Sequence, residues 1–257
     1  MTATLSVDNG LATITLARPD ASNALDADLK ATLHDAVVRA GNDDSVRAVL
    51  LRADGKNFCV GQDLAEHIVG LDADPTTAMA TVAKDYNPLI RALAALDVPV
   101  VVAINGACVG AGLGIALAGD IRIVADNATF ATAFTGIALA ADSGLSHTLV
   151  AALGPSRAAG LMLLGDRFTA AQAAEWGLAH RVVDAAHLDE AARTLAVRLA
   201  AGPTAAYRQV KALIGRAGLD AALDRETVAQ EALGTTADHR SAVDAFLAKS
   251  RPTFVGH

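Results

Sequence analysis

Apolar and polar residues alternate through ATLSV and LATITLA on either side of Asp8-Asn9-Gly10, which predicts a β-hairpin whose turn is rich in residues that accept positive φ. The period then lengthens. LKATLHDAVVRA places apolar groups three and four apart, predicting a helix from about Asp26 to near Gly41. RAVLLRA reads as the next strand and GKNFCVGQD as the loop leaving it. After the acidic DADP turn come a helix to about Ala95, the strand VPVVVAI, a glycine turn, a short helix and the strand DIRIVA. Alternating strands and helices predict parallel strands joined by right-handed crossovers, an α/β fold.

From about residue 143 the pattern is helical: SGLSHTLVAAL, SRAAGLMLL, TAAQAAEWG, LDEAARTLAVRLA, TAAYRQVKALI and one last helix across LDRETVAQEALGTTADHRSAVDAFLAKS, with AHRVVD as the single strand among them. Apolar helix faces must be covered, so these predict packing on the sheet or on other subunits, and an oligomer. The expected division is a core over 1–200 and a helical oligomerisation region over 201–257.

Residues 98–119 carry no charge and are long enough to span a bilayer. Pro99, Asn105 and the glycines break that pattern, and the β-branched VVVAI reads as a buried strand instead. The start, MTATLSVDNG, lacks the basic and apolar regions of a secretory signal. A cytoplasmic protein with no membrane partner is expected. The net charge of −7 argues against a nucleic-acid partner. A local basic patch for a phosphorylated ligand could still come from Arg18, Lys56, Lys211 or Lys249. Cys59 and Cys108 are the two cysteines and have no metal-ligand spacing, so both are expected as packed side chains. No H-x-x-x-H pair occurs, and no metal site is expected.

The chemistry concentrates in INGACVGAGLGIALAGD, with Gly106, Gly110, Gly112 and Gly114 between a strand and a helix. Free amides and a helix dipole at such a turn suit an anion. The spacing is not G-x-G-x-x-G and no G-K-[ST] follows, so neither a dinucleotide fingerprint nor a P-loop is present. Close strand–helix packing is the plain alternative. GKNFCVGQDL is a second strand–glycine–helix loop, and two amide donors aimed at one point are what a thioester oxyanion requires.

These two motifs, together with LARPDASNALD and the ending DHRSAVDAFLAKSRPTFVGH, resemble the enoyl-CoA hydratase/isomerase (crotonase) superfamily from about residue 3 to the end. The resemblance implies a spiral of ββα units with a helical C-terminal extension, an acyl-CoA substrate, no cofactor beyond the substrate's own CoA, and trimers or pairs of trimers. It assigns the oxyanion donors to the amides of Gln62 and Ala111, the second a position where the family more often has glycine. It places Asn23, Ala24 and Leu25 along the CoA and Val60 near its adenine, with Gly61, Asp63, Leu64 and Gly110 in the same binding loops. The two glutamates of the family's hydratases correspond to Gly114 and Phe134, so ordinary hydration lacks both carboxylates.

Asp142, in AADSGL, resembles the catalytic aspartate of phenylacetate-pathway enoyl-CoA isomerases, although Leu145 stands where that motif has a second glycine and Ala138 replaces a glycine upstream. Its plain alternative is the N-cap of SGLSHTLVAAL. Enoyl-CoA isomerisation with Asp142 as acid and base is the expected reaction. Hydration, a hydrolase built on Ser146 in a partial G-x-S-x-G elbow, and acyl-CoA binding without turnover are the alternatives. Glu66 and His67 are expected on a solvated helix face, His147 at a pocket mouth, and the acyl pocket walls within 63–95 and 134–145.

Overall fold

A computed structural model describes residues 1–214 and 217–255 of the chain. The hairpin forms as β1 (Ala3–Asp8) and β2 (Leu11–Leu16), paired antiparallel around Asn9 and Gly10, both at positive φ. β3 (Ala48–Ala53), β4 (Val100–Ile104), β6 (Ile121–Ala125) and β9 (Arg181–Val183) extend this sheet in parallel, in the order β1-β2-β3-β4-β6-β9. A smaller sheet joins β5 (Ala107–Val109), β7 (Thr129–Ala131) and β8 (Phe168–Thr169).

β4 shows why its sequence is apolar without a break. Val100, Val102 and Ile104 face one hydrophobic cluster, which includes α1 (Ala27–Asn42), α3 (Asn87–Ala95) and α4 (Ala111–Ala118). Val101 and Ala103 face a second cluster under α7 (Leu188–Ala200). Both faces of the strand are covered, as for a parallel strand between helix layers.

α1 starts where Asp26 accepts from the Leu29 amide, a side-chain cap that satisfies one of the helix's free donors. α2 (Leu64–Ala73) starts in the same way at Asp63. Ahead of α3, residues Val82–Tyr86 make one π turn. The two helical motifs expected between 143 and 164 form α5 (Leu145–Leu164), which is broken at Gly154 (φ 75, ψ 163) before Pro155. α6 (Ala170–Glu175) and α8 (Thr204–Ile214) follow the expected order.

The last expected helix is in fact two, α9 (Leu219–Gly234) and α10 (Ala237–Leu247). Thr236 caps α10 by accepting from the His239 amide, a start signal inside what reads as one amphipathic run. Leu219 and Leu223 of α9 lie in the main core cluster. α9 therefore shares a packed interior with the sheet, whereas α8 has no buried residue. Among the described residues no helix is long and apolar enough to cross a membrane.

Candidate active site

The two glycine loops are joined by a short β-bridge. The Cys59 amide donates to the Ala107 carbonyl at 3.1 Å and the Cys59 carbonyl accepts from the Val109 amide at 2.9 Å, pairing Cys59 with Cys108. Both cysteines are wholly buried, and burial pushes their thiols up, Cys59 to about 12. They are packing residues at the seam, as expected. Two residues further along, Gly61 and Gly110 meet. A Cβ on Gly61, at φ +88, would lie 3.1 Å from the Val109 carbonyl oxygen and 3.6 Å from the Ala111 nitrogen. Any side chain there would crowd the second loop's amide.

Leu25 fixes the first loop from behind. Its amide donates to the Gly61 carbonyl at 2.8 Å and its carbonyl accepts from the Asp63 amide at 3.2 Å. In this parallel-type bridge the N–H of Gln62 faces away from Leu25. Ala111 is the first residue of α4, where an amide has no carbonyl one turn back. Among the described residues neither the Gln62 amide nor the Ala111 amide has a hydrogen-bond partner.

The segment expected along CoA also has framework duties. Asn23 is fully buried: its Oδ1 accepts from the Arg18 amide at 2.9 Å, and its Nδ2 donates to the carbonyls of Asp54 (3.0 Å) and Asn57 (2.8 Å). Leu25 is likewise fully buried and Ala24 is 9% exposed, so the side chains of Asn23 and Leu25 have no open face for a ligand. Val60, Gln62 and Leu64 are half-buried.

Asp63 accepts from Arg18 Nη1 at 2.5 Å and from the Glu66 amide at 3.1 Å. Burial opposes its charge, yet Arg18 and the amides of Glu66 and Ala65 bring its carboxyl below the usual range. Arg18 also pairs with Asp26 at 3.1 Å, and Lys211 pairs with Asp120 at 2.6 Å. Those two cations serve internal ion pairs rather than an open basic patch. Lys56 and Lys249 remain exposed.

Asp142 follows the short turn Thr135–Ile137 and is 4% exposed. Ser143 Oγ donates to its Oδ1 at 2.8 Å, and Gln230 Nε2 of α9 donates to its Oδ2 at 3.1 Å. Burial raises its pKa to about 7. The Ser143 bond opposes that rise, the charge of Glu226 adds to it, and the Gln230 bond opposes it again.

The N-cap alternative for Asp142 is overturned by Glu226. The Glu226 Oε2 accepts from the Gly144 amide at 2.7 Å and its Oε1 from the Ser146 amide at 2.8 Å, so a carboxylate 80 residues further on occupies the start of α5. The side chain of Asp142 is thereby left for other contacts. Ser146 Oγ is bonded to Glu226, and among the described residues no hydrogen bond joins it to a histidine. His147 is half-buried.

Gly114 and Phe134 complete the picture. A Cβ on Gly114 would fall 2.4 Å from Ser143 Cβ and 2.7 Å from the Ser143 carbonyl oxygen. The position of the first hydratase glutamate is thus filled by the backbone of the segment that carries Asp142. Phe134 is 8% exposed in the core, and its ring tip lies 3.9 Å from where a Gly110 Cβ would stand.

An apolar cavity of about 690 Å³ runs along Leu139–Ala141, with Met162 of α5 and Ala229 and Leu233 of α9 in its walls. Thr135 and residues 138–141 of the expected walls line this cavity, whereas residues 63–95 and Gln62, Ala111 and Asp142 do not.

Four residues fall outside what local patterns reach. Glu226 and Gln230 come from α9, where their four-residue spacing reads as an ordinary helix face. His67 is 3% exposed and Glu66 is half-buried, bonding to Lys30 Nζ at 2.7 Å and to the Ala27 amide. The expected solvated face is instead turned inward, because α2 folds back over α1. Among the described residues no cluster of metal-ligating groups occurs.

A spiral α/β scaffold with two unpaired loop amides and the buried Asp142 is the setting of an enzyme for a carbonyl-bearing substrate. The pattern of the family described as Enoyl-CoA hydratase/isomerase matches residues 6–257, and the chain belongs to that family. It is similar to the 1,2-epoxyphenylacetyl-CoA isomerase of Escherichia coli, 40% identical over 253 residues and 97% of each chain. It is also similar to the trans-2-decenoyl-acyl-carrier-protein isomerase of Streptococcus mutans, 35% identical over 254 residues, 98% of this chain and 97% of that protein. A solved structure described as an enoyl-CoA hydratase/isomerase of Mycobacterium abscessus superposes with TM-score 0.82 at 55% identity, covering 99% of this chain and 100% of the other. An enoyl-CoA hydratase of Mycobacterium avium subsp. paratuberculosis gives 0.89 at 32% identity, with 99% of both chains covered.

Proposed function

We propose that this family member is an enoyl-CoA isomerase in which Asp142 moves one proton between two carbons of the acyl chain. Asp142 as carboxylate takes a proton from the carbon beside the thioester carbonyl. The C–H electron pair enters a dienolate whose oxygen is held by the amides of Gln62 and Ala111. The same carboxyl returns the proton two carbons further on, and the double bond moves into conjugation. Protons and electrons balance, so no cofactor beyond the substrate's CoA is needed.

The observation that carries this reading is the filled space at Gly114 beside the buried Asp142, whose neighbour Glu226 is taken up by the Gly144 and Ser146 amides. Water addition calls for groups serving both the incoming oxygen and the α-carbon. Here the hydratase positions hold Gly114 and Phe134, and Ser143 takes the space a side chain at 114 would need. A pKa of about 7 for Asp142 suits a group that must both accept and give back a proton. Two of the similar proteins are named as isomerases.

The deciding experiment is Asp142→Asn, assayed with 3-hexenoyl-CoA for isomerisation and crotonyl-CoA for hydration, with CoA-ester affinity by calorimetry. Loss of isomerisation on the order of 10²–10⁴-fold with affinity kept is expected. Full isomerase turnover in the variant, or brisk hydration by the native protein, removes the assignment. Assembly as a trimer or pair of trimers is part of the same reading, supported by exposed apolar residues such as Leu163, Leu213 and Phe246; light scattering measures it.

A further inference from the structure

A buried chain of hydrogen bonds runs from the C-terminal helix to the first amide loop. His239 of α10 is wholly buried and His67 of α2 is 3% exposed. Their Nε2 atoms lie 2.7 Å apart. His239 Nδ1 is 2.6 Å from the Ile137 carbonyl oxygen, and His67 Nδ1 is 3.3 Å from Gln62 Nε2. The ring planes are tilted by 50° with centroids 5.0 Å apart, so the contact is made nitrogen to nitrogen rather than by stacking.

The protons in this chain can be ordered in one way. A carbonyl oxygen only accepts, so His239 Nδ1 carries the hydrogen. In a neutral ring Nε2 is then bare and must receive the hydrogen of His67 Nε2. His67 Nδ1 is left as an acceptor, and the Gln62 side chain turns its NH₂ group to it. Every donor meets an acceptor, from Gln62 to Ile137.

Charge would break the order: a proton added to His239 sets two N–H groups against each other at 2.7 Å, and one added to His67 Nδ1 meets the Gln62 NH₂ group at 3.3 Å. The surroundings oppose such a charge. Lys30, 4% exposed on α1, stands near His67, held by Glu66 of α2 (2.7 Å) and Thr81 (2.8 Å), with Asp85 at 3.8 Å. Burial first, then His239 and Lys30, push His67 down to about 4, and burial lowers His239 as well.

The ends of the chain matter more than its middle. Gln62 is the residue whose amide serves the first loop. Ile137 closes the turn five residues before Asp142, and α10 packs on that turn. We propose that His67 and His239 are positioning residues that tie the Gln62 peptide to the segment bearing Asp142, so that the amide donor and the proton carrier keep one spacing. Neither ring touches substrate in this arrangement. A pair of apolar side chains would fill the same volume but would hold no direction, whereas a fully satisfied polar chain fixes both. The inference rests on the isomerase reading for its kinetic consequence, though not for its proton order.

Two measurements test it on the full-length protein. Long-range ¹H–¹⁵N spectra of the histidine rings should show the Nδ1–H tautomer for His239 and the Nε2–H tautomer for His67, unchanged between pH 6 and 8. The opposite tautomer on either ring, or an ordinary titration of either near 6.5, overturns the chain. In the isomerase assay His239→Asn keeps a donor near Ile137 and loses His67, while Gln62→Leu keeps the backbone amide and loses the side-chain link.

Each is expected to lower kcat about tenfold with KM unchanged, and the double variant to be no worse than either. Multiplied losses, or an unchanged kcat in His239→Asn, overturn the positioning role. Asp142→Asn on the same preparations separates the two failures: if it keeps turnover the isomerase reading falls, while the ring spectra still decide the chain.

Discussion

Gly114 and Ser143 share one small volume: a methyl group on Gly114 would come within 2.4 Å of the Ser143 Cβ. The contact joins the first turn of α4 to the residue after Asp142. It sets the carboxyl against the helix whose first amide is that of Ala111, and it leaves no room for an acid at 114.

Gly114→Ala should therefore push residues 142–143 away from α4. Overpacking of this kind costs about 1–3 kcal/mol. Since the displaced segment bears Asp142, the proposed proton carrier, kcat should fall by more than CoA affinity. Steady-state kinetics and calorimetry on this one variant check both, and an unchanged kcat would show that the close contact does not set the position of Asp142.

The activity should depend on a single ionisation. In the proposed isomerisation Asp142 is a base and works in its charged form, so kcat/KM should rise about tenfold per pH unit below about 7 and level off above it. Stability runs the other way. The folded pKa lies above the usual 3.8, so the folded chain holds a proton that the unfolded chain releases, and stability falls as pH rises from about 4 through about 7. The ceiling on this effect is roughly 4 kcal/mol. Asp142→Asn, which carries no charge, should gain melting temperature over the native protein at pH 8 and little at pH 4.

Glu226 acts on Asp142 through charge and on α5 through its two amide bonds. In Glu226→Gln the negative charge is lost, so the pKa of Asp142 should drop and the acid limb of the pH–rate profile should move to lower pH. One carboxyl oxygen becomes an NH₂ group facing a backbone donor, which should cost about 1–3 kcal/mol in chemical denaturation. A profile that stays in place would exclude the electrostatic coupling.

Ala111 offers a way to delete one donor with little else changed. It is the first residue of α4, a position where proline is well tolerated because no helical carbonyl awaits its amide. Ala111→Pro is expected to lower kcat by roughly 10²–10³, the usual loss for one oxyanion donor, with the helix retained by circular dichroism.

The hydroxyl of Tyr86 is buried, on the π turn before α3, and has no hydrogen-bond partner among the described residues. Burial raises its pKa well above 10. Tyr86→Phe removes a group that lost its water and gained nothing in exchange, so the melting temperature should hold or rise by about 2–4 °C. A clear fall would mean that the hydroxyl has a partner after all.

Much of the architecture is written in short stretches of chain. The hairpin around Asn9-Gly10, the alternating faces of β4 and the caps at Asp26 and Asp63 follow from period and from residue type, because hydrogen bonds and burial act over a few residues there. The two glycine loops belong to the same group: each is a strand, a glycine and a helix start in sequence order. Their meeting at Cys59 and Cys108 follows once the strands lie in one sheet.

What the tertiary structure alone decides is which distant groups surround those loops. Glu226 and Gln230 sit on a helix whose sequence reads as an amphipathic face, yet one carboxylate takes the start of α5 and one amide holds Asp142. His67 reads as a solvated position and is instead buried against a histidine 172 residues away. The physical reason is common to all of them. A local pattern records whether a face prefers water or the interior, whereas the partner of a buried polar group, and with it the proton affinity of Asp142, depends on how whole helices pack.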